Sequence, residues 1–434
     1  MARVVVIGGG LGGMASAARL AKLGHEVRLV ERLDRLGGAI GSFEQEGYRW
    51  DTGPTGTALP AVLRDLFRKS GRPLEQELEL VPVEPLREHR FEDGSTVTMP
   101  WGSRTDQRAA VDEGLGSGLG EQWVSYVNAF ADQWDILRNG YLEHPYAPES
   151  ADKATRDLLS TRHTMHRQVT RLFKDERLRA IATSQAIVDG HDPRNVPSWM
   201  GVASFVEQRF GIWTITGGMG VLADALTARL EERGVEVHRH STADDIVLRG
   251  GRAVAVSTDR GVLDADVVVC AIDPRTLPAL AGRVRKTMPA IPPVICHLGL
   301  VGEVPDLPHE VVLHGDPSLV VRTGGQAPDG AHAWTVLGRG RLAEDIVIAL
   351  ARRKLDVRDN LEIRVDRSPL ELVEAWGGSP YGVLWQGRAT LAQRISTATP
   401  VDNVFCAGAH APPGAGVPFV GLGAALVAEA VGPA

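Results

Sequence analysis

Val4-Val5-Val6-Ile7-Gly8-Gly9-Gly10-Leu11-Gly12-Gly13 stands at the head of the chain, and Glu26-Val27-Arg28-Leu29-Val30-Glu31 follows after an alanine- and leucine-rich stretch, Met14 to Leu23, and Gly24. The apolar, β-branched run before the glycines has the length and character of a strand buried on both faces. Met14 to Leu23 suits a helix, and Gly24 suits its C-terminal end. The glycines therefore lie at a strand-to-helix turn. Gly8 allows the tight turn, Gly10 lets the backbone approach a pyrophosphate, and Gly13 lets the helix pack on the strand. The helix start at Leu11 and Gly12 offers free N–H groups and a positive dipole end to phosphates. Glu31 closes the second strand, where a carboxylate binds a ribose hydroxyl. Strand, helix, second strand and acid at this spacing predict a dinucleotide site.

After Glu31 come Arg32-Leu33-Asp34-Arg35-Leu36-Gly37-Gly38-Ala39-Ile40-Gly41-Ser42, and later Tyr48-Arg49-Trp50-Asp51-Thr52-Gly53-Pro54-Thr55. These stretches resemble the second glycine pair and the Asp-x-Gly-Pro-Thr segment of carotenoid (phytoene) desaturase-like flavoproteins, which are related to the flavin amine oxidases. The tail Asn403-Val404-Phe405-Cys406-Ala407-Gly408-Ala409-His410, with Pro412 to Pro418 and a last helix from Gly421 to Val431, resembles that family's closing strand, Gly/Pro loop and helix. The resemblance runs along the whole chain in outline and is most specific over 4–55, 214–272 and 380–431. It implies FAD rather than NAD, held by Gly8, Gly10, Leu11, Gly12, Gly13, Glu31, Arg32, Gly37, Gly38, Ala39, Gly53, Pro54, Thr55, Ala243, Gly408, Ala409, Gly416, Val417 and Pro418. One departure is Ala39, where the family often has Arg, so phosphate neutralisation must come from elsewhere, with Arg32 and Arg35 at hand.

The expected fold class is α/β: a Rossmann-like FAD-binding domain (1–75, 214–290 and 386–434) with a discontinuous α+β substrate domain (76–213 and 291–385) whose mixed or antiparallel sheet is accompanied by helices. A chain of 434 residues exceeds one compact core. Its formal net charge of −7 argues against a nucleic-acid partner. Cys270, Cys296 and Cys406 each sit in an apolar run, with neither metal spacing nor a disulfide framework, which fits a cytoplasmic setting. No run is apolar and long enough to cross a membrane.

Taken in order, the residues predict a helix at 59–70 and strands at 77–82, 86–91 and 96–99. A mostly helical region follows, from about 120 to 210, with a stripe of Trp123, Tyr126, Val127, Phe130 and Trp134 that suits either core or cavity wall. His163 and His166 suit one helix face, but no third metal ligand is nearby. A strand at 212–215, a helix at 221–233 and strands at 235–238, 245–247, 253–258 and 263–271 come next. One antiparallel sheet is expected from 294–300, 310–313, 319–323 and 332–337, then a helix at 342–354 and a strand at 361–367.

Flavin performs hydride chemistry itself, so the protein must bind it, present a C–H bond and exclude side reactions. The resemblance implies dehydrogenation (desaturation) of C–C bonds in a lipophilic, isoprenoid or polyene substrate. Electrons then leave to oxygen, a quinone or another acceptor. His410, Asp51 and Tyr381 are the acid–base or substrate-facing candidates. Each has a structural alternative: a loop residue for His410, a hydrogen bond within its own loop for Asp51, and packing under the sheet for Tyr381. The alternative functions are C–N oxidation by an amine oxidase, a flavin-dependent isomerase or saturase, and a flavoprotein without turnover. Many flavin amine oxidases hold a Lys near the flavin on a central substrate-sheet strand, and neither 294–300 nor 332–337 contains one. Trp199 to Trp213, rich in apolar and aromatic residues, reads either as the substrate's way in, with peripheral membrane contact, or as buried core. Gly217 to Gly220 lacks the spacing of a second dinucleotide turn, so no nicotinamide cofactor is expected.

Overall fold

A computed structural model describes residues 1–434. The strand Arg3–Ile7 sits at the centre of a five-stranded parallel sheet in the order Val404–Cys406, Val267–Cys270, Arg3–Ile7, Glu26–Val30, Glu236–His238. Its alternate side chains enter two different cores, because successive strand residues point to opposite faces. Val4 and Val6 face a core shared with the helices Leu11–Lys22, Pro60–Ser70, Gly220–Glu232 and Val417–Val431. Val5 and Ile7 face a second core, built with the antiparallel strands Ala243–Arg249 and Arg252–Thr258 and the helix Pro278–Val284. Burial on both sides makes each of these four residues worth roughly 1.5–3 kcal/mol, which is why the run carries no polar residue.

A second, seven-stranded sheet runs in the order Leu361–Arg367, Val294–Val301, Ala331–Arg339, Ser318–Arg322, Glu310–Leu313, Arg87–Arg90, Thr96–Met99. All seven strands arrive where the sequence places them, with the last two joining from far upstream. The sheet is not wholly antiparallel: Glu310–Leu313 pairs in parallel with Arg87–Arg90. Helices between residues 104 and 210 enclose their own core, where Trp123, Tyr126, Val127, Phe130 and Trp134 are all buried. Trp123 also lines a cavity described below.

Several details differ from the sequence reading, among them the helix expected at 342–354, which is Ile346–Arg352, and the strand expected at 77–82, which is Leu80–Val83. The run 263–271 is two strands, Gly261–Asp264 and Val267–Cys270, broken at Ala265-Asp266. The break arises because the first pairs antiparallel in the three-stranded sheet and the second pairs parallel to Arg3–Ile7, while Asp266 accepts from the Arg3 backbone N–H and side chain. The closing helix begins at Val417, with Pro418 in its first turn, where a missing N–H costs nothing. His163 precedes the helix Met165–Leu172 that carries His166, so the two do not share a helix face, and no cluster of three potential metal ligands exists in the molecule. No helix is long and apolar enough to cross a membrane.

Candidate functional site

The glycine turn is built by exclusion. A Cβ on Gly13 would lie 1.8 Å from the Gly8 carbonyl oxygen, and one on Gly12 would lie 2.8 Å from the Gly408 backbone. Helix Leu11–Lys22 thus seats directly on its own strand and on the turn after Val404–Cys406. Gly8, at φ +101°, turns the chain in a conformation that L side chains rarely adopt. Above Gly10 the space is open for 4 Å, at the N-terminus of the helix. The second glycine pair folds onto the first: Gly37 N–H donates to the Gly9 carbonyl at 2.9 Å, and a Cβ on Gly38 would reach the Gly10 Cα at 3.2 Å.

Glu31 closes this cradle. Its Oε2 accepts the Gly9 N–H at 2.6 Å and its Oε1 accepts the Leu33 N–H at 2.8 Å, in a side chain only 9% exposed. Each carboxylate oxygen keeps a further lone pair. An open helix N-terminus beside a fixed, buried carboxylate suits a pyrophosphate followed by a ribose, so the residues present fit a dinucleotide. Ser241 N–H donates to the Glu31 carbonyl, two residues before Ala243 begins its strand. Arg32 is turned away: its guanidinium donates to the Glu374 carbonyl and packs on Gly377. Ala39 is central to the turn, its carbonyl lying 2.3 Å from where a Gly53 Cβ would stand and accepting from the Thr52 hydroxyl.

Loop 51–57 lies beside the seven-stranded sheet. Arg322 spans the two, donating to the Gly53 carbonyl and pairing with Glu310 at 3.0 Å. Glu310 also pairs with Arg87 at 2.9 Å, and Arg87 forms a bidentate pair with Glu207. Burial would push the Glu310 pKa up, but Arg322 and Arg87 bring it down to about 2. His309 Nε2 lies 3.3 Å from the Thr55 hydroxyl, and burial holds this histidine below its usual pKa. Tyr381 is half-buried, with the Arg339 guanidinium 5.4 Å from its ring centroid. A cavity of about 60 Å³ extends toward the helical core, lined among others by Arg87, His89, Asp189, His191 and Glu207. That volume holds about two waters, so a larger substrate must displace side chains to occupy it.

The three catalytic candidates have different surroundings. Asp51 reaches across the fold, its two oxygens accepting the Met219 and Gly220 N–H groups at 2.9 and 3.0 Å. It caps the helix Gly220–Glu232, a longer-range bond than one within its own loop, and burial raises its pKa against those bonds. A carboxylate at that helix start also leaves it unsuited to a phosphate. His410 is buried and is kept neutral by burial and by Arg275, which donates to Nδ1 at 3.2 Å, while Nε2 lies 3.9 Å from Asp273. Tyr381 packs against the Arg339 guanidinium. Gly408 and Ala409 lie under it, the Ala409 carbonyl 2.2 Å from a would-be Gly382 Cβ, and Gly416, at φ +105°, caps the Val417–Val431 helix. Trp199 and Phe205 pack in the helical core, and the cavity is lined instead by Met200, Ala203, Ser204 and Glu207 from the opposite face. The expected way in therefore does not run past those two aromatics. Sequence reasoning missed Asp189, Arg322, Arg339 and the Arg87–Glu310 pair. Only a count of charged residues on strands facing inward, such as Arg87 and Glu310, could have flagged them.

A family model described as flavin containing amine oxidoreductase matches residues 11–304. The chain is 28% identical to a zeta-carotene-forming phytoene desaturase of Myxococcus xanthus, over 98% of this chain and 93% of that one. It is 29% identical to a hydroxyneurosporene desaturase of Cereibacter sphaeroides, over 99% and 97%. Its fold is similar to that of cyclohexylamine oxidase from Brevibacterium oxydans, with a TM-score of 0.69 at 17% identity, covering 99% of each chain.

Proposed function

The chain belongs to the flavin containing amine oxidoreductase family, and from that premise we propose that it is an FAD-dependent oxidoreductase desaturating C–C bonds of a lipophilic polyene or isoprenoid. Desaturase relatives that align along nearly the whole chain support the substrate class. The observation that carries the reaction type is the inner strand Val294–Val301. It bears no lysine; its buried polar group is His297, which bonds to the Thr335 hydroxyl at 3.0 Å and is held by burial at a pKa of about 3. A neutral, engaged imidazole offers none of the cationic, water-holding character expected of an amine-oxidising site.

FAD, when bound, supplies the hydride acceptor. The chain's own residues do the rest. Gly8 to Gly13 and Glu31 hold the dinucleotide, loop 53–55 and the start of Val417–Val431 face the reacting end, and Tyr381 walls the substrate side. Asp51 and His410 act as scaffold in this reading. The 288–291 segment bonds to the Tyr381 loop, through Leu384 N–H to the Met288 carbonyl and Ala290 N–H to the Gly382 carbonyl. It exposes Met288 (52%) and Ile291 (62%). This apolar lip, rather than Trp199 to Trp213, is where the substrate enters and where a membrane surface is touched.

The test is anaerobic mixing of holoenzyme with phytoene in liposomes, with cyclohexylamine and NADPH in parallel. Phytoene should bleach the flavin absorbance within a turnover. Bleaching by the amine or by NADPH instead would overturn the reading.

A further inference from the structure

Desaturation removes two hydrogens, and hydride transfer accounts for one. The other must leave as a proton. We propose that the Asp189 carboxylate accepts it. This rests on the desaturase reading above and adds a residue to it.

The geometry singles out this carboxylate. Two acidic groups, Glu207 and Asp189, line the cavity; Glu310 pairs with its Arg87, and Arg322, which acts on Asp189, is tied to loop 51–57 at the Gly53 carbonyl. Glu207 is locked in a bidentate pair with Arg87, and Glu310 lies between Arg87 and Arg322. Asp189 is tied only by a neutral amide, accepting from Gln185 Nε2 at 3.1 Å. Its remaining acceptor capacity faces the cavity it lines. Its backbone is fixed, as the C-cap of the helix Glu176–Val188, with its N–H on the Gln185 carbonyl. Arg339 buttresses the same point: Nε donates to the Val188 carbonyl at 2.9 Å and Nη1 to the Ile291 carbonyl at 2.5 Å. The aspartate thus stands between the cavity, the Tyr381 wall and the proposed lip.

Other groups facing it do not compete for the proton. Glu310 stays ionised, Glu207 and Glu310 hold Arg87 charged, burial keeps Tyr381 neutral, and Arg322 and Arg339 have their guanidinium donors on the Gly53, Val188 and Ile291 carbonyls. Burial keeps His89 neutral, and His191 with a pKa of about 4. Burial raises Asp189 to about 6, against the pull of Gln185, Arg339 and Arg322. A base in that range is ionised at neutral pH and strong enough to take a proton in the transition state.

The balance is as follows. One C–H bond gives its hydrogen and bonding pair to the flavin. The adjacent C–H bond gives its proton to Asp189, and its bonding pair becomes the new π bond. The proton then passes to water, and the electron pair passes from the flavin to oxygen or a quinone.

The test uses wild-type, Asp189→Asn and Asp189→Glu holoenzymes. In infrared titration between about pH 5 and 7, the wild type should show a protonated-carboxyl stretch, with a midpoint near 6, that Asp189→Asn lacks. With phytoene, Asp189→Asn should reduce its flavin about 10²–10⁴-fold more slowly while keeping FAD occupancy and melting temperature. Asp189→Glu should recover part of the rate. The wild-type rate should rise with pH through the same midpoint, and that of Asp189→Asn should not. Absence of the titrating carboxyl, or an Asn variant within threefold of wild type, overturns the proposal. If phytoene leaves wild-type flavin oxidised, the desaturase reading fails, and the titration alone decides whether Asp189 is a free proton acceptor.

Discussion

Replacing Glu31 with Gln removes one charge and one acceptor from a site that needs both. Two backbone N–H groups converge on this side chain, one on each oxygen, at 2.6 and 2.8 Å. Glutamine has a single acceptor oxygen, so its NH₂ must face either Gly9 or Leu33, donor against donor. A buried donor left unsatisfied costs about 1–3 kcal/mol. The surviving bond loses its charge assistance, about another 1 kcal/mol. The sum is about 2–4 kcal/mol. If the apo cradle keeps its shape, the loss appears as lower stability. If the cradle relaxes, the loss appears when FAD rebuilds it, as a Kd weakened by roughly 30- to 1,000-fold at 1.36 kcal/mol per decade. Apo-protein melting and FAD titration by flavin fluorescence together capture the whole cost. A Glu31→Gln protein with an unchanged apo melting temperature and a Kd within threefold of wild type would refute the assignment of Glu31 as the cradle's closing residue.

The Arg87–Glu310–Arg322 network makes the fold acid-sensitive. Glu310 has its pKa lowered from 4.5 to about 2, so its contribution is full above the unfolded value and is lost as pH falls toward 2; at 1.36 kcal/mol per unit that is about 3 kcal/mol. Denaturant midpoints of wild type should fall between about pH 5 and 2, and those of Glu310→Gln should start lower and fall less. Equal slopes would exclude Glu310 as the cause. At the lip, Met288→Ser with Ile291→Ser should reduce co-sedimentation with liposomes and raise KM for liposome-borne phytoene without changing flavin reduction at saturation. Unchanged partitioning would remove the lip from the substrate's route.

The FAD side was readable because its constraints are local. Gly8, Gly13 and Glu31 fall within one strand–helix–strand unit, and the turn at Gly8 and the close packing at Gly13 follow from spacing alone. The seven-stranded sheet was readable strand by strand, since period-two burial survives wherever a strand sits. Its parallel join between Arg87–Arg90 and Glu310–Leu313 was not, because pairing across that much sequence leaves no local mark. The same limit hid the charged groups around Asp189. Asp189 reads as an ordinary helix end until Arg339, from a distant strand, packs on Val188. Asp51 was misjudged in range for a similar reason: its partners, Met219 and Gly220, lie far along the chain, beyond what its own loop can indicate.

The contact between Gly12 and Gly408 has a consequence for how the protein comes into being. The first strand and helix expose Met14, Ala17 and Leu20 toward a helix that starts only at Val417. At a ribosomal rate of about 5–20 residues per second, roughly 20–80 s separate the synthesis of Ile7 from that of Val404. During that interval the nascent cradle has no edge strand on one side and no roof. The cradle can therefore close around a flavin only once Gly408 and the helix Val417–Val431 have been made.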